Sequence, residues 1–241
     1  HIHSRELRKH LQAADAFVAE GPKLIGELLA AGVRPQLIVT SDASLRVPDG
    51  VRKEVVSDAE VERCSLLRSP QGCVGIFPIL PHEKPRAMAA KENIVLALDS
   101  VQDPGNLGTI VRLADWFGIE HVVCSEGCAD IYNPKTVQAT MGAIARVKVH
   151  YTDLERWIVD MQGEVDVYGT FLDGETIGTR PLGRNGIVVM GNEGRGISSG
   201  IRRLVTRKLF IPPYPADGSP TVESLNVAIA TAIVCHEFRR G

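Results

Sequence analysis

The chain has no surplus of either charge: 27 lysines and arginines face 29 aspartates and glutamates, for a formal net charge of −2. That balance excludes the global basic signature of a nucleic-acid binder, so any binding of RNA has to rest on local patches. Two such patches are present, Arg5, Arg8, Lys9 and His10 near the start and Arg195, Arg202, Arg203, Arg207 and Lys208 later. Each reads equally well as a solvated helix face. No apolar run approaches the roughly 18 residues of a spanning helix, and no signal-peptide core is visible, so a soluble cytoplasmic protein without a membrane partner is expected. The five cysteines, Cys64, Cys73, Cys124, Cys128 and Cys235, are odd in number and scattered, which speaks against a disulfide framework and for a reducing compartment. His121, Cys124 and Cys128 lie close enough to raise zinc, but no second ligand pair follows, and no metal is expected. Repeats and low-complexity tracts are absent too.

What is present is an apolar fraction of 44% on 241 residues, enough for one large or two small domains. Residues 1–80 alternate short helices and strands: a helix from Gly21-Pro22 through Leu29, a strand at 36–40, a capping box at Ser57–Glu60 starting a helix that ends near Leu67, and a strand at 73–77. The proline-rich stretch 81–92 reads as a linker. From Asn93 the pattern becomes βαβ, with strands expected at 94–98, 121–125, 147–151, 165–171, 187–190 and 208–212. Helices are expected at 105–117, 134–145, 153–161, 197–205 and 224–239, with Thr152-x-x-Glu155 as a capping box. Short apolar strands alternating with helices imply a parallel sheet covered on both faces, an α/β domain over 93–241. The last helix is apolar on nearly every side and is expected to be buried.

Three segments carry polar residues where a structural crossover needs none. The first runs from Asp99 to Gly118 through Asp103-Pro104-Gly105-Asn106 and carries Asn106, Arg112 and Asp115. At about 100° per residue, Asn106 and Arg112 stand some 240° apart on one helix. Either Asn106 precedes the helix, or the two residues serve different sites, as one helix can in a symmetric dimer. The structural alternative is a surface Arg112–Asp115 pair. The second segment, Gly186 to Ser198, runs a strand into Gly191-Asn-Glu193-Gly194-Arg195-Gly196. Its glycine order is not that of a dinucleotide fingerprint, which weakens an oxidoreductase reading, but it lets a ligand approach the backbone. The third leads from Phe210-Ile211 through a proline-rich loop to Ser224-Leu225-Asn226-Val227. Ser224 reads as a helix N-cap, and Asn226 as a buried amide in need of partners.

Taken in order, these segments resemble the SpoU (TrmH-type) ribose methyltransferases of the SPOUT superfamily. The shared pattern is Asn106-x-Gly108-x-x-x-Arg112, then Gly191-x-Glu193-Gly194-x-Gly196, then Ile211-Pro212 followed by Ser224-Leu225-Asn226-Val227. Residues 1–80 look like the family's small substrate-binding domain, through Val18-Ala19-Glu20-Gly21 and the Pro70-Gln71-Gly72 turn. The resemblance implies a C-terminal α/β domain with a deep trefoil knot, an exception to the rule that chains do not thread loops. It implies S-adenosylmethionine as cofactor, held mainly through the backbone at Gly191, Ile211 and Leu225. It implies a homodimer that methylates a ribose 2′-hydroxyl of RNA, ribosomal RNA ahead of transfer RNA. A non-catalytic RNA-binding module of the same fold is the alternative. Asn106, Arg112, Glu193, Ser224 and Asn226 would surround the reacting hydroxyl. Arg112 suits a phosphate clamp and alkoxide stabiliser better than a base, and Glu193 would fix either Arg112 or Asn106. The link from Pro213 to Glu223 is longer and richer in proline than the family's short loop.

Overall fold

In a computed structural model, residue 9 and residues 15–215 and 217–241 are described. Of the N-terminal basic patch, Arg5, Arg8 and His10 lie outside them. In chain order the elements are β1 (Ala16–Glu20), α1 (Pro22–Ala30), β2 (Leu37–Thr40), β3 (Lys53–Val55), α2 (Asp58–Cys64), β4 (Cys73–Pro78) and α3 (Ala87–Glu92). There follow β5 (Ile94–Leu98), α4 (Pro104–Trp116), β6 (His121–Ser125), α5 (Pro134–Ala139) and a 3-10 turn at Ala143–Ala145. The chain closes with β7 (Lys148–Thr152), α6 (Leu154–Asp160), β8 (Val167–Thr176), β9 (Gly186–Met190), α7 (Ser199–Arg202), β10 (Arg207–Phe210) and α8 (Val227–Arg240). Two compact units form. One holds the residues through Pro81 together with Asp130–Arg146, the other His82–Ala129 and Val147–Gly241.

The first unit is built on a four-stranded sheet in the order β1-β4-β2-β3, with β4 antiparallel to both neighbours and β2 parallel to β3. Val18, Leu37, Val39, Val61, Cys64, Val74 and Ile76 form a core cluster there. Ser57 and Glu60 make the expected reciprocal capping box at the start of α2. The helix foreseen over 134–145 breaks at Thr140-Met141-Gly142. There Met141 (φ 51°) and Gly142 (φ 94°) both turn left-handed, which an α-helix cannot absorb.

The second unit is a six-stranded, wholly parallel sheet in the order β10-β8-β9-β5-β6-β7. Strands β5 and β9 are buried at every residue, as runs covered on both faces must be. They pair in register from Ile94↔Gly186 to Leu98↔Met190. Successive strands run outward from β5 to β7, and the chain then crosses to the other side of β5. This order reversal is where parallel α/β sheets open a crevice at their carboxyl ends. Helices α4 and α8 pack against each other.

Four expectations need correction. The stretch 81–92 is not all linker: 87–92 is helix α3, packed on β5 and β9 with Ala90 fully buried. Asp153, not Thr152, caps α6, its side chain accepting the Arg156 N–H at 3.1 Å. Helix α7, expected over 197–205, is a single turn, 199–202, which Ser198 precedes and which ends at Arg203. Helix α8 begins at Val227 and buries one face only, leaving Ile229 55% exposed.

Candidate active site

The crevice at the carboxyl ends of β5 and β9 is built by loops that hold one another. After β9, the Asn192 side-chain oxygen accepts the N–H groups of Gly194 (2.9 Å) and Arg195 (3.0 Å). Asn192 and Gly196 also exchange two backbone hydrogen bonds of 2.9 and 3.0 Å. The loop can fold back this tightly only on glycine. A Cβ at Gly191 would stand 2.3 Å from the Gly196 carbonyl carbon, and Gly196 itself has φ +69°. The loop is then tied to β5: Asn192 Nδ2 donates to Ser100 O (2.7 Å), and the buried Asp99 carboxylate accepts Ser198 N–H (2.7 Å). Neither Asn192 nor Asp99 stood out in the sequence. Their one signal was position, a polar residue within two positions of the end of each of two apolar strands.

Glu193 projects from this loop across to the start of α4. Its carboxylate accepts the backbone N–H groups of Gln102 (3.2 Å) and Asp103 (2.9 Å) and the Asn106 side-chain amide (3.3 Å). Burial alone would raise its pKa. The N–H groups of Asp103, Glu193 itself and Gln102, with the Asn106 amide, outweigh burial and hold it below the usual carboxylate value. Asn106 lies within the first turn of α4, which Asp103 caps by accepting the Asn106 N–H at 2.8 Å. The alternative that Asn106 precedes the helix is therefore excluded. Asn106 Oδ1 in turn accepts Asn226 Nδ2 at 2.9 Å. Asn226 Oδ1 caps α8, accepting the N–H groups of Ala228 (2.8 Å) and Ile229 (3.2 Å). Asn226, not Ser224, is thus the N-cap. A carboxylate and two amides are oriented in series, Glu193 to Asn106 to Asn226.

Beside this relay lies a cavity of about 340 Å³, within the size range of small-molecule sites. Gly191, Glu193, Ile211, Ser224 and Leu225 all line it. So do Thr170, Phe171 and Leu172, which the sequence did not single out. They project because the β8–β10 register slips between Gly169↔Lys208 and Leu209↔Glu175, looping the intervening residues of β8 out. The lining is apolar at Ile197, Phe210 and Val227 and carries the carboxylates of Glu193 and Glu223, with no lysine or arginine among the described residues. Such a site suits a cationic ligand with an apolar body and exposed hydrogen-bonding edges.

Arg112 is not brought to the relay. It is exposed on α4 and has no hydrogen-bond or ion-pair partner among the described residues, so Glu193 fixes Asn106 and not Arg112. Part of the later basic patch is engaged within the fold. Arg202 and Lys208 both bond the Asp173 carboxylate and cover the Phe171 ring, and Arg207 lies over Tyr168. His121 turns to His150 (Nδ1 to Nε2, 3.1 Å) and away from any shared set with the cysteines. No three potential ligands among the described residues are grouped to hold a metal, and no described helix is long and apolar enough to cross a membrane.

Residues 93–236 match the SpoU rRNA Methylase family. The chain is 31% identical over 239 residues to the 23S rRNA (guanosine(2553)-2′-O)-methyltransferase RlmP of Bacillus subtilis, covering 96% of this chain and 92% of that protein. Among solved structures, a TrmH-family chain from Porphyromonas gingivalis superposes with a TM-score of 0.82 and 39% identity over 97% of this chain and 94% of that one. An S-adenosylmethionine-bound rRNA methyltransferase from Sinorhizobium meliloti superposes with a TM-score of 0.79 and 29% identity, over 98% and 92%.

Proposed function

The chain belongs to the SpoU rRNA methylase family, and from that premise we infer an S-adenosylmethionine-dependent methyltransferase acting on a ribose 2′-hydroxyl of ribosomal RNA. The observation that carries the assignment of the site is the Glu193–Asn106–Asn226 relay, because Glu193 belongs at once to the relay and to the cavity wall. The cavity fits S-adenosylmethionine: its two carboxylates complement a sulfonium and an ammonium, and Gly191, Ile211 and Leu225 offer it backbone groups. When bound, that group supplies the electrophilic methyl.

The chain's own residues have to place the ribose oxygen in line and accept the change of charge as its proton leaves. Glu193 holds the Asn106 amide with its oxygen toward Asn226, so both amides present fixed dipoles toward the reacting hydroxyl. Ser224, on the cavity wall, adds a hydroxyl at the same edge. A guanidinium carries its proton at neutral pH and has no free lone pair, so Arg112 suits charge stabilisation better than proton abstraction. Its fork suits the adjoining phosphate and the developing alkoxide. It stands free of Asn106 on α4 and shares an exposed face with Trp116, four residues on and 84% exposed.

That face, with Ile229 exposed on α8, is where a second copy docks in this reading, delivering its Arg112 to the Asn106 of its partner. The loops that follow β9 and β10 form the trefoil knot, carrying the chain from the sheet edge at β10 back to Asn106. The small unit grips the RNA.

Subunit mixing tests the shared site. Asn106→Ala and Arg112→Ala chains, each inactive alone, should regain about one quarter of wild-type activity when co-refolded, since half the dimers then hold one intact site. No recovery would place both residues in one chain's site. The substrate is tested by mapping ribose methyls in cellular RNA after removal of the protein. Loss of one methyl from the large-subunit ribosomal RNA is expected, and a loss confined to transfer RNA would overturn the assignment.

A further inference from the structure

The turn after β6 supports the active-site loop at three successive points. Cys128 Sγ donates to Leu98 O (3.2 Å), Ser125 Oγ accepts Ser100 N–H (2.8 Å), and Ala129 N–H donates to Val101 O (2.9 Å). Residues 98–101 lead directly to Gln102 and Asp103, whose N–H groups hold Glu193. The backbone on which the relay hangs is therefore seated on a thiol.

That thiol is not alone. Cys124, four residues earlier at the end of β6, is fully buried, and its side chain is hydrogen-bonded to Cys128. Cys128 is half-buried, whereas the other four cysteines are buried. The other cysteines, Cys64, Cys73 and Cys235, are buried apart from this pair.

We propose that Cys128 and Cys124 form an oxidant-reactive thiol pair whose closure to a disulfide unseats the active-site loop. Hydrogen peroxide is the oxidant class. Attack by the Cys128 thiolate on one peroxide oxygen forms an S–O bond, breaks the O–O bond and releases hydroxide. The Cys124 sulfur then attacks the resulting sulfenic sulfur; the S–O bond breaks, and water leaves with the Cys124 proton. Two thiols are oxidised and one peroxide is reduced to water.

The contrast among the thiols favours Cys128 as the attacking group. The hydrogen bond from Cys124 and the Ser125 hydroxyl, with the N–H groups of Val101 and Ser100, outweigh burial and bring Cys128 down to about 7. Burial pushes Cys73 up to about 11 and Cys235 to about 12, and raises Cys64 as well. A disulfide sulfur has no proton to give, so oxidation strips Leu98 O of its donor and draws Cys128 toward Cys124, away from residues 98–101.

The loss of activity rests on the methyltransferase reading of the site; the disulfide does not. Native protein pulsed with N-ethylmaleimide at neutral pH should label Cys128 at least about tenfold faster than Cys64, Cys73 or Cys235. In separate, unlabelled protein, peroxide should remove two hydrogen masses, and peptide mapping should show Cys124 joined to Cys128. In Cys124→Ser the sulfenic acid should persist and be trapped by dimedone. RNA methylation should fall at least about tenfold on oxidation, through the misplaced relay, and return with dithiothreitol. Both thiols surviving peroxide would overturn the pair. A mapped disulfide with unchanged methylation would overturn the coupling to the site. A mapped disulfide in a protein with no methylation before oxidation would instead overturn the functional reading.

Discussion

Two glutamates in this chain perform the same physical task in different units. Glu20, at the end of β1 and 2% exposed, accepts Leu66 N–H at 2.6 Å and the Ser65 hydroxyl at 2.5 Å. Glu193, in the loop after β9 and half-buried, accepts the N–H groups of Gln102 and Asp103. Each carboxylate fastens a loop distant in sequence by taking up its unpaired backbone donors. The difference is in what the fastened loop carries. Ser65 to Leu67 close a turn after α2, whereas Asp103 caps the helix that bears Asn106, and Glu193 has a coordination position left for the Asn106 amide. Anchoring becomes catalytic positioning when the anchored backbone holds a reactive side chain and the anchor reaches a cavity.

The comparison is broken most directly by removing the second anchor. Glu193→Ala should lower turnover by about a hundredfold or more, since it frees both the loop and the Asn106 amide. Stability should move far less, because the freed groups lie where water reaches them. An equal loss of stability, read from urea denaturation, would make Glu193 another Glu20.

Acid separates anchor from scaffold within the second unit. His150 is buried, and desolvation, then the charges of His121 and His82, hold it down at about 4. A backbone hydrogen bond at His82 opposes this shift, and Lys148 adds to it. His121 and His82 are lowered as well, chiefly by burial, with Glu120 partly opposing this at His121. The folded state therefore prefers neutral imidazoles, and the unfolded chain takes up protons first as pH falls. Stability is full above about 6.5 and declines toward about 4, His150 alone accounting for roughly 3 kcal/mol. Glu193 keeps its charge to a lower pH than an ordinary glutamate, because the N–H groups around it hold its pKa down. Acid inactivation should thus follow unfolding, measured by circular dichroism, and His150→Gln should flatten the slope. Activity lost at pH 5 from a fully folded protein would assign the loss to the site instead.

In the first unit, Glu20→Gln turns one acceptor into a donor facing a donor. It should cost about 1–3 kcal/mol of stability. Calorimetric affinity for S-adenosylmethionine should be unchanged, since the cavity is lined from the second unit alone. A weakened affinity would mean that the first anchor also serves the cofactor site.

How much of this was readable beforehand follows burial and sequence separation. Strands β5 and β9 were legible because residues buried on both faces must be apolar; α4 was expected to within a residue, although Pro104-Gly105, read as a turn before it, forms its first turn. The edge strands β1 and β3 were not foreseen. Strand β3 is three residues long and only partly buried, and β1 ends on a buried glutamate, a residue that does not read as the end of a core strand. The break in α5 depends on left-handed backbone at Met141, a residue with no preference for it. The three polar segments stood out in sequence, but which group Glu193 holds did not, because its partner lies 87 residues away. Spacing along one helix separated Asn106 from Arg112; only the fold shows that one is fastened and the other free.

That last contrast sets the smallest of the expected effects. Asn106 is held by a carboxylate and an amide, so its geometry is fixed before substrate arrives. Arg112 has no partner among the described residues, so in the proposed role its order has to come from the phosphate it would meet. Arg112→Lys keeps the charge and loses the two-pronged fork, and a residue that is not pre-oriented loses little geometry by the change. The ratio kcat/KM should fall about tenfold, chiefly through a raised KM for RNA, with cofactor affinity unchanged. A loss as large as that of Glu193→Ala, appearing in kcat alone, would show that Arg112 is as firmly positioned in the working complex as Asn106.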